Sequence, residues 1–217
     1  MRPMASATAP ITIADYGMGN VRSVVKAFEH VGASAAVSSD PGEIAAAAAL
    51  VLPGVGAFPE AIREIEGRRL AEPIRARAAD GVPLLGICLG MQLLFESSTE
   101  HGGADGLGLL TGVVEPIAAT GLKLPHIGWS PLALERKSPL TAGIGDGEPF
   151  YFVHSLVARP EPDELIATAE HGERFAAVVG RDNVFGTQFH PEKSSGAGLA
   201  MLGNFAAIAA GAPSIPC

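Results

Sequence analysis

The first part of the chain alternates short apolar runs with segments of helical spacing. The apolar runs predict strands at residues 11–14, 33–37, 49–52 and 83–87. The segments between and after them predict helices at residues 21–30, 59–67, 70–80 and 91–96, and a further helix that starts after Asp40. Asp40 has the character of an N-cap, Pro41 suits the first helical position and Glu43 the third. This alternation is typical of a mostly parallel sheet with helices on both faces.

The second part carries shorter strand-like runs that follow a loose Gly-rich stretch at residues 97–110. These runs are residues 112–117, 126–129, 150–155, 165–169, 175–179 and 184–189. Their close spacing and the turn residues between them predict antiparallel additions to the sheet, and residues 197–209 predict a last helix. The fold class expected is therefore α/β, a single three-layer domain over residues 11–210. Residues 1–10 are expected to be a disordered leader and residues 211–217 a tail.

Composition and charge narrow the classes of partner. The 217 residues are 47% hydrophobic and 18% charged, as in a globular protein with one sizeable core. The net charge of -8 and pI near 5.2 argue against a nucleic-acid or anionic-membrane partner. Two cysteines, Cys88 and Cys217, are too few for a disulfide framework. With neither a signal peptide nor an apolar run long enough to span a membrane, we expect a cytoplasmic protein.

Two Gly-containing turns follow predicted strands. The turn after the first strand contains Gly17 and Gly19, but Arg22 stands where a dinucleotide fingerprint has its third glycine, so a tight ligand- or partner-facing turn is favoured. The turn after the third strand contains Gly54 and Gly56. Such a backbone can turn its amides toward a bound anion, which predicts an oxyanion-binding loop; an ordinary strand-to-helix turn is the alternative.

Cys88 lies on the turn between a predicted strand and a predicted helix. Gly86 and Gly90 flank it by two residues on each side, as a sharp nucleophile elbow requires. The positive end of the helix dipole would also favour a thiolate there. The alternative is a buried structural cysteine.

His190 and Glu192 end the last strand-like run, two residues apart. In extended chain such side chains project to the same side, so the carboxylate could orient the imidazole as in a Cys-His-acid triad. A turn that happens to contain an ion pair is one alternative. A zinc site is another, but Cys88, His190 and Glu192 lack the paired short spacing of zinc ligands. We expect no metal and no cofactor.

Together, the Gly54–Gly56 loop, the Cys88 elbow and the His190-x-Glu192 pair resemble the triad-type, class I glutamine amidotransferase family. The segments at 15–20, 52–58, 125–129, 151–155 and 190–194 are similar, within that family, to the glutaminase subunits of imidazole glycerol phosphate synthase, which serve histidine biosynthesis. The similarity covers about residues 11–209. The sequence departs from the subfamily pattern at Ser130, where Asn is usual, and at Leu156, where an aromatic residue is usual.

The resemblance implies roles for individual residues. Cys88 would attack the side-chain amide of L-glutamine, His190 would move the proton and Glu192 would orient His190. The oxyanion and the substrate would be held by Gly54, Val55, Gly56, Leu89, Gln92, Ser155 and Leu156. The partner interface and ammonia exit would include Asn20, Trp129, Tyr151 and Lys193.

The implied partner is a barrel-type cyclase subunit, bound as a heterodimer, that uses the released ammonia. Two other readings stay open. One is a glutaminase subunit for another pathway, such as anthranilate, aminodeoxychorismate or pyridoxal phosphate synthesis. The other is a non-catalytic binding subunit that keeps the fold.

Overall fold

A computed structural model describes residues 10–211, and its centre is an eight-stranded sheet. The strand order is β2-β1-β3-β4-β14-β13-β12-β9. These strands are β1 (Ile11–Ala14), β2 (Ala35–Ser38), β3 (Leu50–Gly54), β4 (Leu84–Cys88), β9 (Ala133–Leu134), β12 (Leu165–His171), β13 (Glu173–Arg181) and β14 (Val184–Thr187). The first five in this order pair in parallel, and β13, β12 and β9 add to them in antiparallel fashion. The predicted mixed sheet is confirmed.

Six α-helices accompany the sheet within residues 10–211: α1 (Val21–His30), α2 (Pro41–Ala45), α3 (Phe58–Gly67), α4 (Ala71–Ala79), α5 (Leu89–Gln92) and α6 (Ser195–Ala209). Hydrophobic residues form two clusters, as expected when both faces of a sheet are covered. One cluster contains the apolar faces of α1 and α6, with Phe28 and Phe205 in contact at 6.2 Å between ring centroids. The other contains the buried residues of α2, α3 and α4. The three-layer architecture is confirmed.

Several helix limits follow the predicted local signals. The α1 limits are as predicted, and the Asn20 side chain caps the helix by accepting from the amide of Ser23. At α2 the Asp40 carboxylate accepts from the amide of Glu43, 3.0 Å away, so the predicted N-cap is confirmed. The predicted helix at residues 91–96 is wrong in its limits, because α5 begins at once after Cys88 and ends at Gln92.

Three of the strand-like runs do not join the main sheet, which corrects the sequence prediction. β8 (His126–Pro131) and β10 (Pro149–His154) form a two-stranded antiparallel sheet of their own. A four-stranded sheet contains β5 (Ser97–Ser98), β6 (Ala104–Asp105), β7 (Gly112–Pro116) and β11 (Leu156–Pro160). Spacing predicts that such runs are extended, but pairing depends on contacts between residues far apart in sequence.

The domain predicted over residues 11–210 lies within the described residues. The expected leader and tail lie outside the described residues, apart from an exposed Pro10 and Gly211. Within residues 10–211 no helix combines the length and apolarity needed to cross a membrane.

Candidate active site

The carboxyl ends of β3, β4 and β14 converge on a cavity of about 190 Å³. Nine of the residues that the sequence places at a site line it: Val55, Gly56, Cys88, Leu89, Gln92, Ser155, Leu156, His190 and Lys193. Val153 and His154 complete the lining. Parallel α/β sheets bind ligands at this edge, so the fold brings the separate motifs together where the sheet predicts.

The turn at Cys88 has the strained geometry of a nucleophile elbow. Its backbone has φ 56° and ψ -112°, a left-handed value that a non-glycine residue rarely adopts. A Cβ on Gly86 would lie 2.6 Å from the carbonyl oxygen of Gly90. A Cβ on Gly90 would overlap the carbonyl oxygen of Leu52 on β3. The predicted reason for the two flanking glycines is therefore confirmed.

His190 and Glu192 form a close pair behind the cavity. His190 Nδ1 and Glu192 Oε1 are 2.9 Å apart, and the Glu192 side chain is only 2% exposed. Glu192 lies in a 3-10 turn over Pro191–Lys193, so the expectation that extended chain pairs the two side chains is wrong in its geometry. The turn, with Pro191 at its first position, brings the carboxylate back to the ring instead.

The environment favours the charged form of His190. Burial lowers its pKa, but the nearby Cys88 sulfur and the Glu192 carboxylate, which is hydrogen-bonded to the ring, outweigh burial and raise the pKa from 6.5 to about 9. An imidazolium between a sulfur and a carboxylate can hold a thiolate and then supply a proton to a leaving group. This arrangement suits acyl transfer.

The loop after β3 is only partly directed at the cavity. Val55 and Gly56 line the cavity, whereas Gly54 is buried at the end of β3, where a Cβ would collide with the Tyr16 hydroxyl. The amide of Val55 donates to the carbonyl of Met18, 3.1 Å away. Leu89 is the first residue of α5, so its amide has no partner within that helix and can serve an anion.

The predicted substrate-binding residues meet on the opposite wall. Gln92 donates its side-chain amide to the carbonyl of Leu156 at 3.2 Å, and that carbonyl also lies 2.9 Å from His154 Nδ1. The Ser155 carbonyl accepts from the amide of Ile117. Leu156 therefore has its carbonyl engaged by two donors, and the groups it can still offer a substrate are its amide and side chain.

Three of the predicted interface residues lie outside the cavity. Trp129 on β8 and Tyr151 on β10 face each other in register, with ring centroids 5.8 Å apart, and Trp129 is 51% exposed. Asn20 caps α1. Lys193 instead lines the cavity, beside the catalytic candidates.

Two buried histidines were missed as parts of the site. His154 lines the cavity, and its Nε2 lies 2.9 Å from His126 Nδ1. The other ring nitrogen of His126, Nε2, lies 3.0 Å from the hydroxyl of Ser130. Burial, with His171 as a second cause, lowers the pKa of His126 to about 4. Burial also lowers the pKa of His154 to about 4, against the opposing effect of the Leu156 hydrogen bond. The sequence signal was available in two of the strand-like runs, since His126 begins the run at 126–129 and His154 is the last residue but one of the run at 150–155.

The profile of the Glutamine amidotransferase class-I family matches residues 12–209. The chain belongs to this family. Among similar glutamine amidotransferases, the "Imidazole glycerol phosphate synthase subunit HisH" of Moorella thermoacetica is 50% identical over 197 residues, which is 90% of this chain and 93% of that protein. The protein of the same description from Aromatoleum aromaticum is 49% identical over 206 residues, or 90% of this chain and 96% of the relative.

Solved structures support the fold assignment for this glutamine amidotransferase. A structure described as "Crystal structure of glutamine amidotransferase" has a TM-score of 0.72 at 20% sequence identity, and covers 93% of this chain and 99% of the other. A structure described as PurLQS from Thermotoga maritima has a TM-score of 0.69 at 20% identity, with 93% and 97% coverage. At this identity the similarity concerns the fold alone.

Proposed function

We propose that the chain is the glutaminase subunit of an imidazole glycerol phosphate synthase. It hydrolyses L-glutamine to glutamate and ammonia, and a barrel-type cyclase subunit uses the ammonia to form imidazole glycerol phosphate and AICAR in histidine biosynthesis. The observation that carries this proposal is that Cys88 and His190 line one cavity and that Glu192 pairs with His190, in a chain about half identical to subunits with that name. We place the heterodimer in the cytoplasm.

The chemistry follows the geometry of the cavity. The sulfur of Cys88 attacks the side-chain carbonyl carbon of glutamine, and the electron pair moves to the carbonyl oxygen. His190, oriented by Glu192, gives its proton to the nitrogen as the carbon–nitrogen bond breaks, which releases ammonia and leaves a thioester. His190 then takes a proton from water, whose oxygen attacks the thioester carbon. The carbon–sulfur bond breaks with its electron pair on sulfur, which releases glutamate and restores the Cys88 thiolate beside protonated His190.

The oxyanion needs donors as the carbonyl carbon becomes tetrahedral. The Leu89 amide at the start of α5 provides one, and the Val55 amide provides the second once it turns away from Met18. Gln92, which lines the cavity, donates its amide nitrogen to protein groups and so keeps its carbonyl oxygen for an ammonium or amide of the substrate.

The small sheet of β8 and β10 is a suitable docking surface for the cyclase. It presents Trp129 and Ile127, which are 51% and 60% exposed, where large apolar side chains favour a protein partner. The carbonyl of Tyr151 on the same sheet accepts from the amide of His190 at 3.0 Å. Docking there would therefore act directly on the backbone of the proton-transfer residue.

The test uses the Cys88→Ala chain assembled with the cyclase of the same pathway. We expect glutamine-dependent formation of imidazole glycerol phosphate to be lost, while formation from added ammonium salt continues at the unaltered rate. Glutamine turnover by Cys88→Ala would contradict the role of Cys88. Failure of the unaltered chain to bind the cyclase, with intact activity toward glutamine, would favour a glutaminase subunit of another pathway.

A further inference from the structure

Gln188 is a fully buried polar residue that the proposed chemistry has not used. It precedes Phe189 and His190 on the segment that follows β14, and its side chain is 0% exposed. Its amide lies between the two parts of the site, since one end meets Gln92 and the other meets Cys88. Burying a side-chain amide costs free energy unless its nitrogen and its oxygen both have hydrogen-bond partners. The contacts with Gln92 and Cys88 supply these partners for Gln188.

The carbonyl of Leu156 determines which end of the Gln188 amide faces Cys88, in the bridge formed by Gln92 and Gln188. The Leu156 carbonyl can only accept, so the Gln92 atom 3.2 Å from it is the amide nitrogen Nε2. The same nitrogen lies 3.0 Å from Gln188, which must therefore present its oxygen Oε1. The nitrogen Nε2 of Gln188 then faces the sulfur of Cys88 at 3.9 Å.

The other neighbours of the sulfur show why a donor there matters. The carbonyl of Val153 lies 3.8 Å from Cys88 Sγ and can accept from a thiol, but it repels a thiolate. Deprotonated sulfur therefore needs donors to offset this carbonyl. His190 lines the same cavity and brings a positive charge to it, and the amide of Gln188 provides a neutral donor 3.9 Å from the sulfur.

We propose that Gln188 is a positioning residue for the nucleophile: its amide donates to the sulfur of Cys88 and favours the deprotonated sulfur, while Gln92 fixes the direction of the amide. This inference rests on the proposed role of Cys88. Since Gln92 also lines the substrate cavity, the bridge links the wall that receives glutamine to the atom that attacks it.

The test measures the reactivity of the thiol itself. The rate of Cys88 alkylation by iodoacetamide is followed against pH in the complex with the cyclase, and mass spectrometry of the Cys88 peptide separates it from Cys217. In Gln188→Met, which keeps the length of the side chain and loses the amide, we expect the midpoint of the pH profile to rise by about one pH unit. Glutamine turnover near neutral pH should fall about tenfold.

Thr187→Val is the matched control. Thr187 precedes Gln188, is also fully buried, and donates its hydroxyl to the carbonyl of Phe189. The loss of this hydroxyl therefore disturbs the same segment without removing a contact to the sulfur. We expect its alkylation profile to match that of the unaltered chain. If Gln188→Met does not fold, Gln188→Asn withdraws the amide by one methylene and should shift the midpoint in the same direction.

Two results would overturn the inference. One is an unchanged midpoint in a folded Gln188 variant, and the other is an equal shift in Thr187→Val. Both are read from alkylation, which needs no glutamine, so they differ from a failure of the proposed glutaminase function.

Discussion

The backbone amide of Val55 donates a hydrogen bond to the backbone carbonyl of Met18, 3.1 Å away. Met18 lies in the turn after β1, and its carbonyl thereby occupies the Val55 amide, which the loop after β3 would otherwise offer to an oxyanion. The Val55 peptide is flanked by Gly54 and by Gly56, which has φ 110°, so it can rotate at small steric cost. In the free chain, one of the two expected oxyanion donors is therefore already hydrogen-bonded within the protein.

We expect this engagement to slow the isolated subunit. Glutaminase turnover should rise about 100-fold to 1000-fold when the cyclase and its nucleotide ligand are bound, because the loss of one oxyanion donor typically costs that much. Glutamate release is measured for the chain alone, with the cyclase, and with the cyclase plus ligand. Equal rates in the three samples would show that the hydrogen bond of the Val55 amide does not slow the isolated chain, and would favour a free-standing glutaminase.

A second prediction concerns cooperation between His190 and Glu192, which are 2.9 Å apart. His190→Ala should be at least as damaging to glutamine turnover as Glu192→Ala, because the imidazole moves protons and the carboxylate orients it. The double variant should be little worse than His190→Ala alone. Losses that multiply cleanly would mean that the two residues act independently; ammonia-dependent synthesis serves as the control for folding.

The pH dependence of glutamine turnover should have an alkaline limb set by His190. Its pKa is raised to about 9, so the proton needed by departing ammonia is present below pH 9 and lost as the pH rises through that value. Glu192→Gln keeps an oxygen that can accept from His190 but removes the negative charge that helps to raise the pKa, and should move the limb down by about one pH unit. A limb that stays in place in this variant would assign the titration to another group.

The buried pair of His126 and His154 should make the fold sensitive to acid. Both pKa values are lowered from 6.5 to about 4, so the unfolded chain takes up protons first as the pH falls. The stability that the neutral pair contributes is present above pH 6.5 and lost as the pH falls through 4. We expect a loss of the order of 3 kcal/mol for each histidine over this range.

Urea unfolding between pH 7 and pH 4 measures this effect. His126→Gln, which cannot take up a proton, should flatten the dependence relative to the unaltered chain. His30→Gln is the control, because His30 is exposed at the end of α1 and contacts neither histidine. Identical slopes for His126→Gln and the unaltered chain would contradict the prediction.

The sequence by itself determined the parts whose signals are local. The Asp40 cap, the limits of α1 and the Gly86-Cys88-Gly90 elbow depend on residues within one turn, where sterics and capping act without the rest of the chain. The alternation of strands and helices also determined the parallel sheet. The motif Gly54-x-Gly56 and the pair of His190 and Glu192 then indicated the edge of the sheet at which the site lies.

Only the tertiary structure decided which distant groups meet. Pairing of β8 with β10 apart from the main sheet, and the contact of Tyr151 with His190, join residues whose separation in sequence carries no local signal. The bridge from Leu156 through Gln92 and Gln188 to Cys88 spans three segments in the same way. The direction of the Val55 amide also depends on the Met18 carbonyl, because rotation about a glycine-flanked peptide is settled by its hydrogen-bond partner and not by its own sequence.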